Sequence, residues 1–74
     1  MSIGFTQWVI YFDPADQPGK YVARKWIITP GRITATHTSY VSDTLEDARQ
    51  HIPEGMCNLG RFDADESQIV EVWT

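Results

Sequence analysis

The chain has 74 residues, 42% hydrophobic and 22% charged, with ten acidic and six basic side chains and a net charge of -4. That suffices for one globular domain without room for a second core, and it excludes a disordered or fibrous chain. The acidic balance argues against a general binder of phosphate backbones, which carries a basic excess.

Residues 5–12, Phe-Thr-Gln-Trp-Val-Ile-Tyr-Phe, are rich in aromatic and β-branched side chains and predict a strand. It stops at Asp13-Pro14, because proline has no N–H to give a sheet ladder. Within the following loop, Gln17-Pro18-Gly19-Lys20 suits a type II turn: proline presets φ and glycine takes the positive φ after it. A second strand is expected over 20–28, making an antiparallel hairpin with the first.

Thr29-Pro30-Gly31-Arg32 repeats the turn chemistry. The threonines of Ile33 to Val41 favour an extended backbone, but Ala35, His37 and Ser39 spoil the alternation. The expectation is an exposed extended segment with, at most, a short edge strand near Tyr40-Val41. A helix over 44–52 follows: Thr44 caps it, Glu46 and Asp47 suit the positive end of its dipole, and Leu45, Ala48 and Ile52 share a face. Pro53 and Gly55 end it. Residues 56–62 read as a loop that tucks Met56, Leu59 and Phe62 against the core, Asp63 to Glu66 as a solvated turn, and 68–73 as the last strand.

This order predicts an α+β domain: a small antiparallel sheet in ββαβ order, with one short helix packed on one face. Such a chain buries only about 60% of its unfolded surface, and domains of this size often need a staple. Cys57, the only cysteine, excludes an internal disulfide and fits a reducing cytoplasm. Heavy aromatic packing or self-association remains, and nine aromatic residues suit either.

In the first strand Phe5, Gln7, Val9 and Tyr11 alternate with Thr6, Trp8, Ile10 and Phe12. In the second, Tyr21, Ala23, Lys25 and Ile27 alternate with Val22, Arg24, Trp26 and Ile28. Neither set is polar, as one side of a half-wet sheet should be. A helix of about eight residues is about 12 Å long and leaves much of even a three-stranded sheet uncovered. Either the loops at 29–41 and 53–67 shield the rest, or a partly aromatic sheet face is exposed to meet a protein partner or a second copy of the chain as a homodimer. Charge is polarised as well. Residues 1–37 carry four basic and two acidic side chains (+2), and residues 38–74 carry two basic and eight acidic (-6). Such polarity steers pairing or selects an acidic partner.

Trp8, Lys20, Arg24, Lys25 and Trp26 are the candidate partner-binding residues, since Trp and Arg dominate interface energetics. The alternative is single-stranded nucleic-acid binding through the same hairpin, with bases stacked on Trp8, Tyr21 and Trp26. The acidic second half and the absence of an RNA-recognition signature disfavour it. No catalytic residue, metal site or cofactor is expected. Cys57, His51 and His37 lack the close ligand pairs of a zinc site and the orienting partner of a thiol nucleophile. The Asp63, Asp65, Glu66 and Ser67 cluster lacks the glycine and the closing glutamate of a calcium loop. The longest apolar run, Trp8 to Phe12, is far short of the ~20 residues of a spanning helix, and no export signal is visible. A cytoplasmic, non-membrane, non-enzymatic protein is the expectation.

The stretches Tyr11 to Arg24, Asp43 to Arg49 with Ile52-Pro53, and Ile69 to Trp73 resemble a group of small uncharacterised proteins of bacteria and their phages. The resemblance covers most of the chain, with 29–41 as its variable part. Its motifs are turns, a helix start and a strand, so it implies a fold and a bacterial or prophage-encoded accessory role, and no chemistry.

Overall fold

The computed structural model describes residues 4–61 and 68–74. In chain order these form β1 (Phe5–Phe12), β2 (Tyr21–Thr29), β3 (Arg32–Ser42), α1 (Leu45–Arg49), β4 (Asn58–Gly60) and β5 (Ile69–Trp73). The five strands make one antiparallel sheet in the order β3-β2-β1-β5-β4.

Local turn chemistry sets the hairpins. Asp13 takes a left-handed backbone (φ 59°), and its carboxylate accepts the N–H of Gly19 at 2.7 Å. Asp tolerates that conformation better than most residues, because its short side chain bonds locally. Lys20 N–H donates to the Gln17 carbonyl at 3.2 Å, and Gly19 holds the positive φ of 73° that the turn needs. Gly31 (φ 77°) serves the turn between β2 and β3 in the same way.

The expected ββαβ, α+β architecture is overturned. The described residues form a five-stranded sheet with one helix of five residues, an essentially all-β fold. Two strands account for the difference. The threonine-rich segment is an 11-residue edge strand, β3, exposed along nearly its whole length. An edge strand with little burial on either face carries no alternating pattern, so only the β-branched preference of its threonines signals it. The segment read as a loop over 56–62 contains β4, three residues long. It is held by backbone bonds from Cys57 N–H to the Thr74 carbonyl (2.7 Å) and from Thr74 N–H to the Cys57 carbonyl (3.0 Å). Asn58 and Gly60 are poor strand formers, and the ladder offered by β5 places them. Phe62 and the turn read at Asp63 to Glu66 lie outside the described residues.

The helix is shorter than the expected 44–52. Thr44 caps it, its hydroxyl accepting the N–H of Asp47 at 3.1 Å. Beyond Arg49 the chain tightens: His51 N–H donates to the Ala48 carbonyl and Ile52 N–H to that of Arg49. These i→i+3 bonds mark a last turn wound more tightly than an α-helix. Pro53 follows. Thr44→Ala is expected to cost about 0.5–2 kcal/mol, read as a lower midpoint in urea unfolding.

The core lies between α1 and the sheet, where Trp8, Ile10, Ala23 and Ala48 are buried and Tyr21, Leu45, Ile52, Met56, Val70 and Trp73 pack around them. Tyr40 extends this cover over β3, its ring 6.0 Å from that of Trp8 and stacked 4.3 Å from the imidazole of His51. A polar clasp closes one side. Glu71, 6% exposed, accepts Arg49 Nε at 2.9 Å, Asn58 Nδ2 at 2.9 Å and Trp73 Nε1 at 3.3 Å, and forms an ion pair with the Arg49 guanidinium. Helix, β4 and β5 thus meet on one carboxylate. The hydrogen bonds from Arg49 hold its carboxyl below the usual range, against the upward push of burial, with Asn58 and Trp73 assisting.

Candidate functional site

Register decides which side chains share a face. Trp8 pairs with Lys25, Ile10 with Ala23 and Phe12 with Tyr21, so these lie on the helix side with Ala48. Gln7 pairs with Trp26, Val9 with Arg24 and Tyr11 with Val22, so these lie on the opposite side. β3 adds Ile33, Ala35, Ser39 and Val41 to that second face, and β5 adds Val72 and Ile69. A register shift between Ile10 and Tyr11 puts Ile69 opposite Tyr11, while Val70 packs into the helix-side core. Strict alternation along β5 would group Ile69 with Glu71 and Trp73, and the bulge separates them.

The five candidate partner-binding residues do not gather on one surface. Trp8 is buried in the helix-side core. Lys25 lies on that same side, lining a groove of about 390 Å³ with Phe5, Thr6, Trp8, Pro53, Met56 and Thr74. Lys20 is ion-paired with Asp43 beside an open polar groove of about 630 Å³ that holds Asp47, Gln50 and His51. Trp8 and Lys25 thus meet on the helix side, and Arg24 and Trp26 come together on the other. With Tyr11, Pro14, Asp16, Val22 and Gln68 the latter two line a groove of about 260 Å³ on the helix-free face.

That face has an anchored floor and an exposed rim. Val9, Val22 and Val72 are buried, with Val9 directly opposite Arg24 and Val72 and diagonal to Trp26. Toward the periphery Ile33 is 68% exposed, Phe5 54% and Val41 49%. Among the described residues no helix or strand packs on this side. The indole N–H groups of Trp8 and Trp26 are buried without an acceptor, a cost on the order of 1–3 kcal/mol each.

Sequence reasoning named Arg24 and Trp26 as candidates but not the other residues that line their groove. Tyr11 and Val22 follow from alternation once the register is known, whereas Pro14, Asp16 and Gln68 arrive from loops and carry no pattern. Glu71 had a readable signal, a lone acid between Val70 and Val72 in an apolar strand. Cys57 is exposed, His37 sits in mid-β3 and His51 stacks on Tyr40. No group of three or more metal-ligating side chains forms among the described residues, and none of their helices is long and apolar enough to cross a membrane. Comparison with protein-family models, curated proteins and solved structures finds no match, and the resemblance to small bacterial and phage proteins rests on its motifs alone.

Proposed function

We propose that this chain is a non-catalytic interaction or accessory module, bacterial or prophage-encoded and cytoplasmic, that grips a protein partner with its helix-free sheet face. The observation that carries this reading is the make-up of that face. Arg24 and Trp26 stand side by side over a groove ringed by Tyr11 and Val22, with Val41, across from Val22, exposed beside it and Ile33 exposed farther along the same face. A half-buried Trp and Arg at the centre of an apolar patch is the arrangement that concentrates binding energy in protein interfaces. The nucleic-acid reading loses its support for the same reason. Trp8 is inside, Lys20 is neutralised by Asp43 and Lys25 is on the other side, so no track of rings and cations remains.

Affinity capture from a bacterial lysate, followed by titration with the purified partner, tests the proposal. Trp26→Ala and Arg24→Ala are each expected to weaken binding by more than tenfold, with little dependence on salt. Unchanged affinity in both variants sinks the reading. Tight binding of a single-stranded oligonucleotide that collapses as salt rises also sinks it, in favour of nucleic acid.

A further inference from the structure

We infer that β3 is a self-pairing edge, joining antiparallel to the β3 of a second copy about a two-fold axis at His37. The pairing groups are the outward backbone of β3 rather than the Trp26 groove, although Ile33 and Val41 also border the helix-free face, and the inference does not depend on the partner proposed for that face. β3 is the long outer edge of the sheet, and from Ile33 to Val41 every residue but Thr36 is exposed. A long exposed edge offers a row of backbone donors and acceptors for another strand.

Two features select a second copy as the occupant. The first is the sequence, which is nearly palindromic about His37. Antiparallel pairing centred there sets Ile33 opposite Val41, Ala35 opposite Ser39 and Thr36 opposite Thr38. Apolar meets apolar, small meets small and threonine meets threonine, the cross-strand pairs that stabilise sheets. Ile33 and Val41, strongly exposed in the single chain, cover each other twice in the pair, once at each end.

The second feature is the hydrogen-bond phase. Thr29 and Arg32 close the β2–β3 turn, so their backbone groups face each other, and alternation turns those of Ile33 and Ala35 outward. From the other end, Asp13 N–H donates to the Lys20 carbonyl, so Lys20 faces β1 and Tyr21 faces β3. Ser42 and Tyr40 then face β2, which leaves Ser39 and Val41 facing outward. The axis at His37 therefore matches outward residues with outward residues, as a ladder requires. At the centre three residues of β3, 36–38, oppose Lys25 alone, and the Thr36 hydroxyl donates to the Lys25 carbonyl at 2.9 Å. This bulge bends the strand, so the joint ladder runs along the two arms, 33–35 and 39–41, on either side of it. The pair is weak for its length and forms with concentration.

Light scattering over a dilution series up to about 1 mM tests the inference. The wild-type mass is expected to rise from 8.5 kDa toward twice that value. Ala35→Pro removes an outward N–H that the chain itself does not use, and is expected to leave a folded monomer. Ile33→Glu is expected to weaken pairing about tenfold, and adding Val41→Lys restores it by setting opposite charges across the axis. That rescue is specific to this register and holds even if the proline variant fails to fold. Arg24→Ala, on the helix-free face, is expected to leave the dimer intact. A monomer at every concentration overturns the inference. So does a dimer lost in Arg24→Ala but kept in Ala35→Pro, which would move self-association to the face.

Discussion

Replacing Ile10 by alanine is expected to destabilise the fold by about 2–5 kcal/mol, the range for deleting a buried isoleucine. Ile10 is fully buried and is the largest side chain in that class, wedged among Trp8, Ala23 and Ala48. Its strand is the middle of five, so no exposed edge lets the cavity collapse. A 74-residue domain has only about 4–11 kcal/mol of total stability, so this one change removes a large share of it. Urea unfolding reads the effect as a lower midpoint at unchanged slope. Val41→Ala, at an exposed edge position, is the contrast and is expected to cost less than about 0.5 kcal/mol. Equal costs at the two sites would mean that the core does not lie between α1 and the sheet.

Glu71→Ala is expected to cost about 1.5–3 kcal/mol, the range for hydrogen bonds to a charged group. Its partners, the Arg49 guanidinium, Asn58 and Trp73, come from three elements, and all of them lose their common acceptor. The pH dependence carries a defined sign. The folded carboxyl lies below its ordinary value, chiefly through the bonds from Arg49, so its stabilisation is complete above the unfolded carboxylate range. It is lost as pH falls from there through the lowered folded value. Thermal melts from pH 7 downward are expected to show this acid loss in the wild type. Arg49→Met should weaken it, because the largest cause of the lowering is gone while the upward push of burial remains, with Asn58 and Trp73 still holding the carboxylate. An acid slope identical in the two proteins would show that Glu71 does not carry it.

The parts of the fold that were legible are those written in local chemistry. Asp13-Pro14 with Pro18-Gly19 mark the loop before β2 and Pro30-Gly31 the tight turn after it, and the aromatic and β-branched run of β1 marks the central strand. Thr44 marked the helix start. What the sequence hid depends on neighbours. β3 lacks alternation because both its faces are largely wet, and β4 exists only because β5 offers it a ladder. Those two strands turn the expected α+β module into a sheet with a small helical cover. At the candidate site the residue types were readable but their sides were not. Arg24 and Trp26 sit two apart and share a face, whereas Trp8 was separated from them by a cross-strand register that no single strand encodes. The bulge before Tyr11 moved Ile69 to the helix-free face for the same reason.

Contact through the helix-free face is tested most directly by NMR, following backbone amide and indole N–H shifts as the purified partner is added. The shifts are expected at Tyr11, Val22, Arg24 and the Trp26 indole, with Ala48, Met56 and Trp73 on the helix side unmoved. Shifts confined to Lys25, Met56 and Thr74, around the groove on the other side, would contradict it.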